Sequence, residues 1–399
     1  MKPPLTTAIV SLLTFASVTA VARENTKNVQ KHIETPSSRD LIFSSEAVLS
    51  RAPNLHVRKG ALGSVPILHL LRGPCAGELC GDQLCCCSGN TASCVGQGLR
   101  YIPALPSKIT RLDFSDNALG RVDNDTLRNL TSLEFLSLER NEIDFIHPDA
   151  FVLMRDLREL RLGINNLTDF DHLLSTLRPA ESLQFLNASG NRFWNLTLSN
   201  LTDIPNLKRL VLYGNHITKI AQGERGKKSK LETLDLSSNL LQKFPDFCRK
   251  EAPEESFLPY LHTLDVQWNI ITIMHSTSAK CLPALKNLNL GGNAIHHIRK
   301  NFLQGLPALE NLSLQFCMSR QIDSHAFNHS NLQYLNVSEN LWFFDSHYGS
   351  GISKDLFVSM PRLHFVNMSW TVFRFSRKHE RHSVLSSVKH VKEFVLEGT

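Results

Sequence analysis

The sequence predicts an α/β solenoid: a curved stack of short repeats whose parallel strands line the concave face, closed at its start by a cysteine-rich N-terminal cap. Three observations predict it. One apolar pattern recurs through residues 109–399 at intervals of 23 to 31 residues, and nearly every copy carries an asparagine at its turn. Six of the nine cysteines fall within residues 75–94, immediately before the first copy. Such clustering is typical of an oxidised, secreted module.

The amino-acid composition excludes several classes of protein. The chain has 399 residues, 42% of them hydrophobic and 20% charged, which excludes both a disordered and a membrane-embedded protein. The net charge of +6 is too small for a protein that coats nucleic acid. The function classes that remain are those of a folded, extracellular protein.

The N-terminus predicts secretion. Lys2 precedes an apolar run at residues 5–18, and Ala20 and Ala22 form an A-x-A site before Arg23. We interpret residues 1–22 as a cleaved signal peptide, the alternative being an uncleaved anchor helix. Residues 23–74 form an extension without sustained periodicity, and no later segment is apolar and long enough to span a membrane.

The recurring pattern is L-x-x-L-x-L-x-x-N-x-L, the leucine-rich-repeat signature. The sixth copy shows it at Leu231, Leu234, Leu236, Asn239 and Leu241. Eleven copies can be placed in residues 109–399, and a truncated twelfth begins at Val391. Each copy predicts one short strand, a turn and a return segment, and stacked copies bury one continuous core. The residues between the leucines then point out of the concave face, the usual binding surface of a solenoid.

The turn asparagine is structural in this interpretation. Its buried amide is expected to bond the backbone of neighbouring turns, so its loss would leave groups unpaired at a cost of about 1–3 kcal/mol. Cys317 replaces it in the ninth copy and Thr371 in the eleventh. The nine asparagines of this ladder are Asn117, Asn141, Asn165, Asn191, Asn215, Asn239, Asn269, Asn293 and Asn340.

Residues 75–108 resemble the cysteine-rich N-terminal cap of extracellular leucine-rich-repeat proteins, through the C-x-C-x6-C spacing at Cys85, Cys87 and Cys94 with Cys80 upstream. The resemblance implies bridges between Cys80 and Cys87 and between Cys85 and Cys94. Cys75 could replace Cys80; otherwise Cys75 and Cys86 are left over and could pair. The alternative, a zinc site, has neither a C-x-x-C pair nor a nearby histidine.

Two further features concern the array itself. Cys248 and Cys281 lie in neighbouring repeats, which predicts a bridge, the alternative being two buried free thiols. No cysteine follows Cys317, and the pattern stops within the twelfth copy, so we expect the chain to be a fragment of a longer protein. The alternatives are a self-associating end or a truncated gene model, because an uncovered end exposes apolar surface.

The irregular repeat lengths and enlarged loops resemble the ectodomain of a Toll-like receptor over residues 80–399. The stretch at residues 311–340 and the stretch at residues 357–373 carry the resemblance further, whereas proteoglycan-type arrays are more regular. The resemblance implies ligand recognition on the concave or lateral face, with two copies brought together by ligand. The transmembrane helix and signalling domain of that family do not occur in this sequence, which argues against signalling by this chain alone.

Ten N-x-S/T sequons predict heavy glycosylation. Four of them fall on the strands, where glycans would obstruct the concave face and shift ligand contact to a lateral edge. The ten are Asn124, Asn129, Asn166, Asn187, Asn195, Asn200, Asn311, Asn328, Asn336 and Asn367.

Basic runs suggest an anionic ligand, such as a lipid phosphate, nucleic acid or sulfated glycan. The main candidates are Arg374, Arg377, Lys378 and Arg381, and a second run spans residues 225–230. The alternative is an ordinary solvated loop, and no aromatic interleaving supports nucleic-acid binding. Histidines at 296–297 and 325–329 could gain charge in an acidic compartment or bind a metal, although surface histidines are the simpler interpretation.

No catalytic motif is present, and neither a metal nor another cofactor is expected. The leading hypothesis is the ligand-recognition ectodomain of a Toll-like innate immune receptor, at the cell surface or in the endosomal lumen. The alternatives are a secreted matrix or adhesion protein and a soluble decoy receptor.

Overall fold

A computed structural model describes residues 75, 77–222, 228–249, 252–274, 279–323, 325–340, 356–357, 360–371, 391–395 and 397. The predicted signal peptide, the extension at residues 23–74, and the basic candidates Arg374, Arg377, Lys378 and Arg381 lie outside the described residues.

The described residues form 23 short strands and one α-helix. The strands are β1 (Glu78–Cys80), β2 (Cys85–Ser88), β3 (Thr91–Ser93), β4 (Arg111–Asp113), β5 (Arg121–Val122), β6 (Phe135–Ser137), β7 (Phe145–Ile146), β8 (Glu159–Arg161), β9 (Phe185–Asn187), β10 (Asn195–Thr197), β11 (Arg209–Val211), β12 (Lys219–Ala221), β13 (Thr233–Asp235), β14 (Cys248–Arg249), β15 (Ala252–Ser256), β16 (Thr263–Asp265), β17 (Asn287–Asn289), β18 (His297–Ile298), β19 (Asn311–Ser313), β20 (Gln321–Ile322), β21 (Tyr334–Asn336), β22 (Phe365–Asn367) and β23 (Glu393–Val395). The helix is α1 (Phe170–Thr176), and a 3-10 helix spans Leu198–Asp203.

One 15-stranded sheet runs through the array in the order β1-β2-β3-β4-β6-β8-β9-β11-β13-β16-β17-β19-β21-β22-β23. The strands β1, β2 and β3 pair antiparallel, and every later neighbour is parallel. The twelve strands from β4 to β23 in this sheet correspond to the eleven predicted repeats and the truncated twelfth. The predicted solenoid is therefore confirmed.

The strands stack without a register shift because the same buried position recurs in each repeat. Leu112 pairs with Leu136, which pairs with Leu160, and each of these side chains is fully buried. The series continues to Val366 and Phe394 at the C-terminal end. A period-2 strand with one buried residue fixes its register, since a slip of one residue would expose that side chain.

The return segments are less regular. Small two-stranded parallel sheets join β5 to β7, β10 to β12 and β18 to β20, and β14 and β15 form an antiparallel hairpin in the enlarged sixth repeat. Helix α1 lies in the third repeat and buries Phe170, Leu173 and Leu174. Its first turn is capped by Asp169, whose Oδ1 accepts a hydrogen bond from the His172 backbone N–H at 2.9 Å.

The asparagine ladder joins each repeat to the one before it. Asn165 illustrates the geometry: its Oδ1 accepts from the backbone N–H of Ile143 at 3.0 Å, and its Nδ2 donates to the carbonyls of Leu138 and Leu162. Where the ladder changes residue type, the bond to the preceding repeat is kept. The Cys317 thiol donates to the Leu290 carbonyl and the Thr371 hydroxyl to the Val337 carbonyl.

The cap contains three disulfides, between Cys80 and Cys87, between Cys85 and Cys94, and between Cys75 and Cys86. Antiparallel pairing of β1 with β2 brings Cys80 close to Cys87, and pairing of β2 with β3 brings Cys85 close to Cys94. A fourth bridge joins Cys248, at the start of the β14–β15 hairpin, to Cys281 in the next repeat. Cys317 is the free cysteine among the described residues, and it is buried. No helix in the described ranges is long and apolar enough to cross a membrane.

Candidate ligand-recognition surface

The concave face is built by the two residues that flank the buried residue of each strand. Successive side chains of a strand point to opposite faces, so both flanking residues leave the sheet on the side away from the core. Because the register never shifts, equivalent residues of neighbouring repeats form columns about 4.8 Å apart. The chemistry of this face is therefore set by the variable positions of the repeat.

In repeats 1 to 5 arginine and phenylalanine alternate along this face. The Arg111 guanidinium lies 4.2 Å from the ring centroid of Phe135, and that of Arg161 lies 5.3 Å from the same centroid. Arg161 also lies 5.9 Å from the Phe185 centroid, which Arg209 approaches at 5.4 Å on its other side. These five side chains are the Arg–Phe stack.

The Arg–Phe stack is preorganised for binding. A guanidinium held over an aromatic face still presents its N–H edge, which suits planar acceptors such as carboxylates and phosphates. Arg111 and Arg209 are exposed at the two ends, whereas Phe135 and Phe185 are half-buried between them. Because the cations are already positioned, a ligand would lose little side-chain entropy on engaging them.

Acidic residues balance the cations on this face and beside it. On the face, Arg161 pairs with Glu159 at 2.7 Å. Just before the strands, Lys208 pairs with Glu232 at 3.1 Å, and Arg158 approaches Glu134 at 4.0 Å. A surface of mixed charge with interleaved aromatic rings favours a ligand that carries both polar and apolar groups, as a protein or peptide does, over a simple polyanion.

Two aspartates meet at the centre of the face. Asp235 and Asp265 occupy paired positions of β13 and β16. Burial raises the pKa of Asp265 to about 7, and the nearby Asp235 carboxylate raises it further. The hydrogen bonds from the Gln267 backbone and from the Asn289 amide lower this pKa and so oppose the shift. Asp265 therefore changes charge near neutral pH.

The face carries no charged side chain from β17 to β22. Amide side chains bridge adjacent strands, with Asn311 Nδ2 donating to Asn287 Oδ1 at 2.6 Å. Further on, the rings of Tyr334 and Phe365 stack with centroids 4.3 Å apart and planes 4° apart. Burial raises the pKa of Tyr334, and the Glu393 carboxylate adds to this.

Comparison with known proteins identifies the family to which the fold is similar. Leucine rich repeat family models match residues 107–167, 259–318 and 230–250. Fibromodulin from Gallus gallus is 30% identical over 183 residues, covering 45% of this chain and 46% of fibromodulin. CD180 antigen from Mus musculus is 30% identical over 179 residues, covering 44% of this chain and 27% of CD180. The solved Toll–Spätzle complex of Drosophila aligns with a TM-score of 0.58 at 19% identity, covering 72% of this chain and 38% of that chain.

The chain has the leucine-rich-repeat fold. It resembles the ectodomain of a Toll-like receptor in that fold. The aligned part of the chain spans less than half the length of the curated relatives named here.

The predicted strand sequons are engaged in hydrogen bonds. Asn187 Nδ2 donates to Glu139 Oε1 at 2.7 Å, and Asn367 Oδ1 accepts from the Ser369 backbone at 2.9 Å. Asn336 is only 9% exposed, and its Nδ2 donates to Gln315. By contrast, Asn124, Asn129 and Asn328 are exposed, and Asn166, Asn195 and Asn200 are half-buried.

The histidines singled out from the sequence each contact a different partner. His297 Nε2 lies 2.7 Å from Asp323 Oδ1, and buried His329 Nε2 lies 2.7 Å from the Leu306 carbonyl. Burial lowers the pKa of His329, and the hydrogen bond to the Leu306 carbonyl opposes this shift. Among the residues that the structure describes, no three metal-ligating side chains cluster.

The described part of the second basic run is already partnered. Lys228 approaches Glu255 at 3.9 Å, and Lys230 Nζ donates to Asn206 at 3.0 Å.

The Arg–Phe stack was missed from the sequence because its members lie about 24 residues apart. Reading the residue before each strand leucine as a column would have found Arg111, Phe135, Phe185 and Arg209.

Proposed function

We propose that this chain is an extracellular ligand-recognition module, the ectodomain portion of a Toll-like innate immune receptor, whose concave face binds a ligand that bridges two copies. Recognition, not catalysis, is the role that the site suits. The Arg–Phe stack carries the proposal, because it holds two exposed guanidinium edges and two aromatic rings in a fixed order.

Location follows from the cysteines. Four disulfides among the described residues suit an oxidising compartment, so we propose a secreted, cell-surface or endosomal-lumen protein that carries N-linked glycans. The same solenoid supports a second role, that of a secreted matrix or adhesion protein, and the match to fibromodulin favours it as much as the match to CD180 favours the receptor. A soluble decoy receptor is a variant of the first role.

A binding panel separates these roles. The chain, purified from the medium of secreting cells, is tested against lipopolysaccharide, lipoteichoic acid and RNA as microbial probes, and against heparin and fibrillar collagen as matrix probes. Saturable binding of a microbial probe supports the receptor role, and saturable binding of a matrix probe supports the alternative. Retention of the chain inside the cells, with an intact N-terminus, would contradict both.

A further inference from the structure

A small cavity opens between the return segments of repeats 2 and 3, and none of its lining residues belongs to the 15-stranded sheet. Its volume is about 220 Å³, and Ile146 of β7, Leu167 and Leu173 of α1 line it. These three side chains are at most 5% exposed, so they form an apolar floor. Since an engineered apolar cavity of about 150 Å³ binds benzene, this cavity is large enough for a ligand of about six non-hydrogen atoms.

Polar groups occur at the rim of the cavity. Asp144, Thr168 and Asp169 also line it, and all three residues are exposed. Asp169 Oδ1 is occupied, because it accepts a hydrogen bond from the His172 backbone N–H at the start of α1. Within the described residues, no hydrogen bond or ion pair engages the Asp144 carboxylate, the Thr168 hydroxyl or Asp169 Oδ2. The rim therefore keeps two carboxylates that can accept hydrogen bonds from a ligand.

Phe145 forms a fixed wall of the cavity. The Arg121 guanidinium lies 4.5 Å from its ring centroid, and Arg121 is itself 3.7 Å from Asp123. The His172 ring stacks on Phe145 with centroids 5.7 Å apart and planes 21° apart, and His172 Nε2 lies 2.8 Å from the Ile146 carbonyl oxygen. Because neighbouring side chains already cover the ring, the rim carboxylates and not the aromatic face would recognise a ligand cation.

The lining selects a ligand by charge and by size. Ionised carboxylates accept hydrogen bonds and donate none, so the rim favours a cationic donor and disfavours an anion. The floor favours aliphatic carbon, which gains free energy when it leaves water. A drug-sized ligand needs a pocket of about 300 Å³ or more, so it would not fit. A small aliphatic ammonium ion has both required features.

Two predicted glycosylation sites lie close to the cavity. Asn166 is two residues before Thr168 in the chain. Asn195 begins β10 of repeat 4, and Thr197 at the end of that strand donates to Asp171 Oδ2 of α1 at 2.8 Å. Glycans on these asparagines are bulky and would keep the surface of a protein away from the rim. A free small molecule would pass between them.

We propose that this cavity binds a small free amine, an aliphatic primary ammonium ion. The alkyl chain lies on the floor of Ile146, Leu167 and Leu173, and the ammonium group donates to Asp144 and Asp169 at the rim. This site does not use the concave face. Its failure would leave the proposed recognition function intact, and the failure of that function would leave this site intact.

Saturation-transfer difference NMR on the purified, glycosylated chain tests the proposal. The probe is n-butylammonium, with 1-butanol as the neutral molecule of matched shape and butyrate as the anion. We expect n-butylammonium to bind saturably with a Kd of about 1 mM, as suits so few atoms, and the other two to show no saturation up to about 20 mM. Enzymatic removal of the N-glycans should leave the affinity for n-butylammonium unchanged.

Substitutions at the rim provide the second measurement. Asp144→Asn/Asp169→Asn should weaken binding of n-butylammonium at least fivefold, because both carboxylates lose their charge. Asparagine at position 169 can still cap α1, so unchanged thermal unfolding is expected. Asp144→Asn alone should weaken binding at least twofold. Glu142→Gln is the matched control, because Glu142 is exposed in the same segment and does not line the cavity, and it should bind like the wild type.

Four results would overturn the proposal. These are no saturable binding of n-butylammonium up to about 20 mM, equal binding of 1-butanol, a rim variant that binds no more weakly than the Glu142→Gln control, and binding that appears only after the glycans are removed.

Discussion

Asp265→Asn should remove one contribution to the pH dependence of stability. Folding buries this carboxyl and raises its pKa from 3.8 to about 7. Because the folded-state pKa lies above the unfolded value, folding favours the protonated acid. The stabilisation is present in full below about pH 4, falls as the pH rises from about 4 to about 7, and is absent above that.

The magnitude follows from the two pKa values. A change from 3.8 to about 7 corresponds to a ceiling of about 4 kcal/mol, at 1.36 kcal/mol per pKa unit. Asparagine carries no charge and keeps the oxygen that accepts from Gln267. It loses the bond from Asn289 Nδ2, because Asn289 Oδ1 already accepts from Gly291 and the amide cannot turn. That loss costs about 1 kcal/mol.

At pH 4.5 the wild type has already lost about 1 kcal/mol of this stabilisation, which offsets the lost hydrogen bond of the variant. We therefore expect the variant to be about as stable as the wild type at pH 4.5 and about 2–3 kcal/mol more stable at pH 8.5. Thermal unfolding from pH 4.5 to 8.5 gives the difference in Tm between the two proteins, in which the other titrating groups cancel. Asp113→Asn, at the equivalent strand position of repeat 1 where the side chain is half-buried, is the control and should follow the wild-type curve. Parallel Tm curves for Asp265→Asn and the wild type would refute the reasoning.

Three further predictions concern the scaffold. Cys85→Ser should raise hydrogen exchange mainly in residues 109–119, because repeats couple to their neighbours; a uniform rise along the array would contradict it. Asn239→Ala, which removes an amide bonded to two repeats, should lower the free energy of unfolding by roughly 1–3 kcal/mol. Urea titration measures this free energy, and an unchanged value would contradict the prediction. Glycopeptide mapping should find Asn124 occupied and buried Asn336 unmodified, and the reverse pattern would be inconsistent with the fold.

The fold could be predicted because its determinants are local and repeated. The spacing of Leu234, Leu236 and Asn239 specifies a strand, a turn and a ladder bond, and eleven copies repeat it in register. The irregular parts could not be predicted in this way. The β14–β15 hairpin occurs once, within the enlarged sixth repeat, so no second copy reveals it.

The candidate site was harder to find than the fold. Arg111 and Phe135 are unremarkable surface residues in the linear sequence, and only the repeat geometry brings them to 4.2 Å. The raised pKa of Asp265 depends on how deeply one strand position is buried, which also differs between repeats. Variable positions carry function here, and a consensus pattern says nothing about them.

The most direct test of the central claim is the affinity of the concave face for a ligand when the ends of the Arg–Phe stack are neutralised. Binding of the strongest panel probe is measured by surface plasmon resonance for the wild type, for Arg111→Gln/Arg209→Gln and for the return-segment control Arg128→Gln. We expect the paired change to weaken binding at least tenfold, about 1.4 kcal/mol, and the control to bind like the wild type. Equal loss in both variants, or no loss in either, would show that the concave face is not the recognition surface.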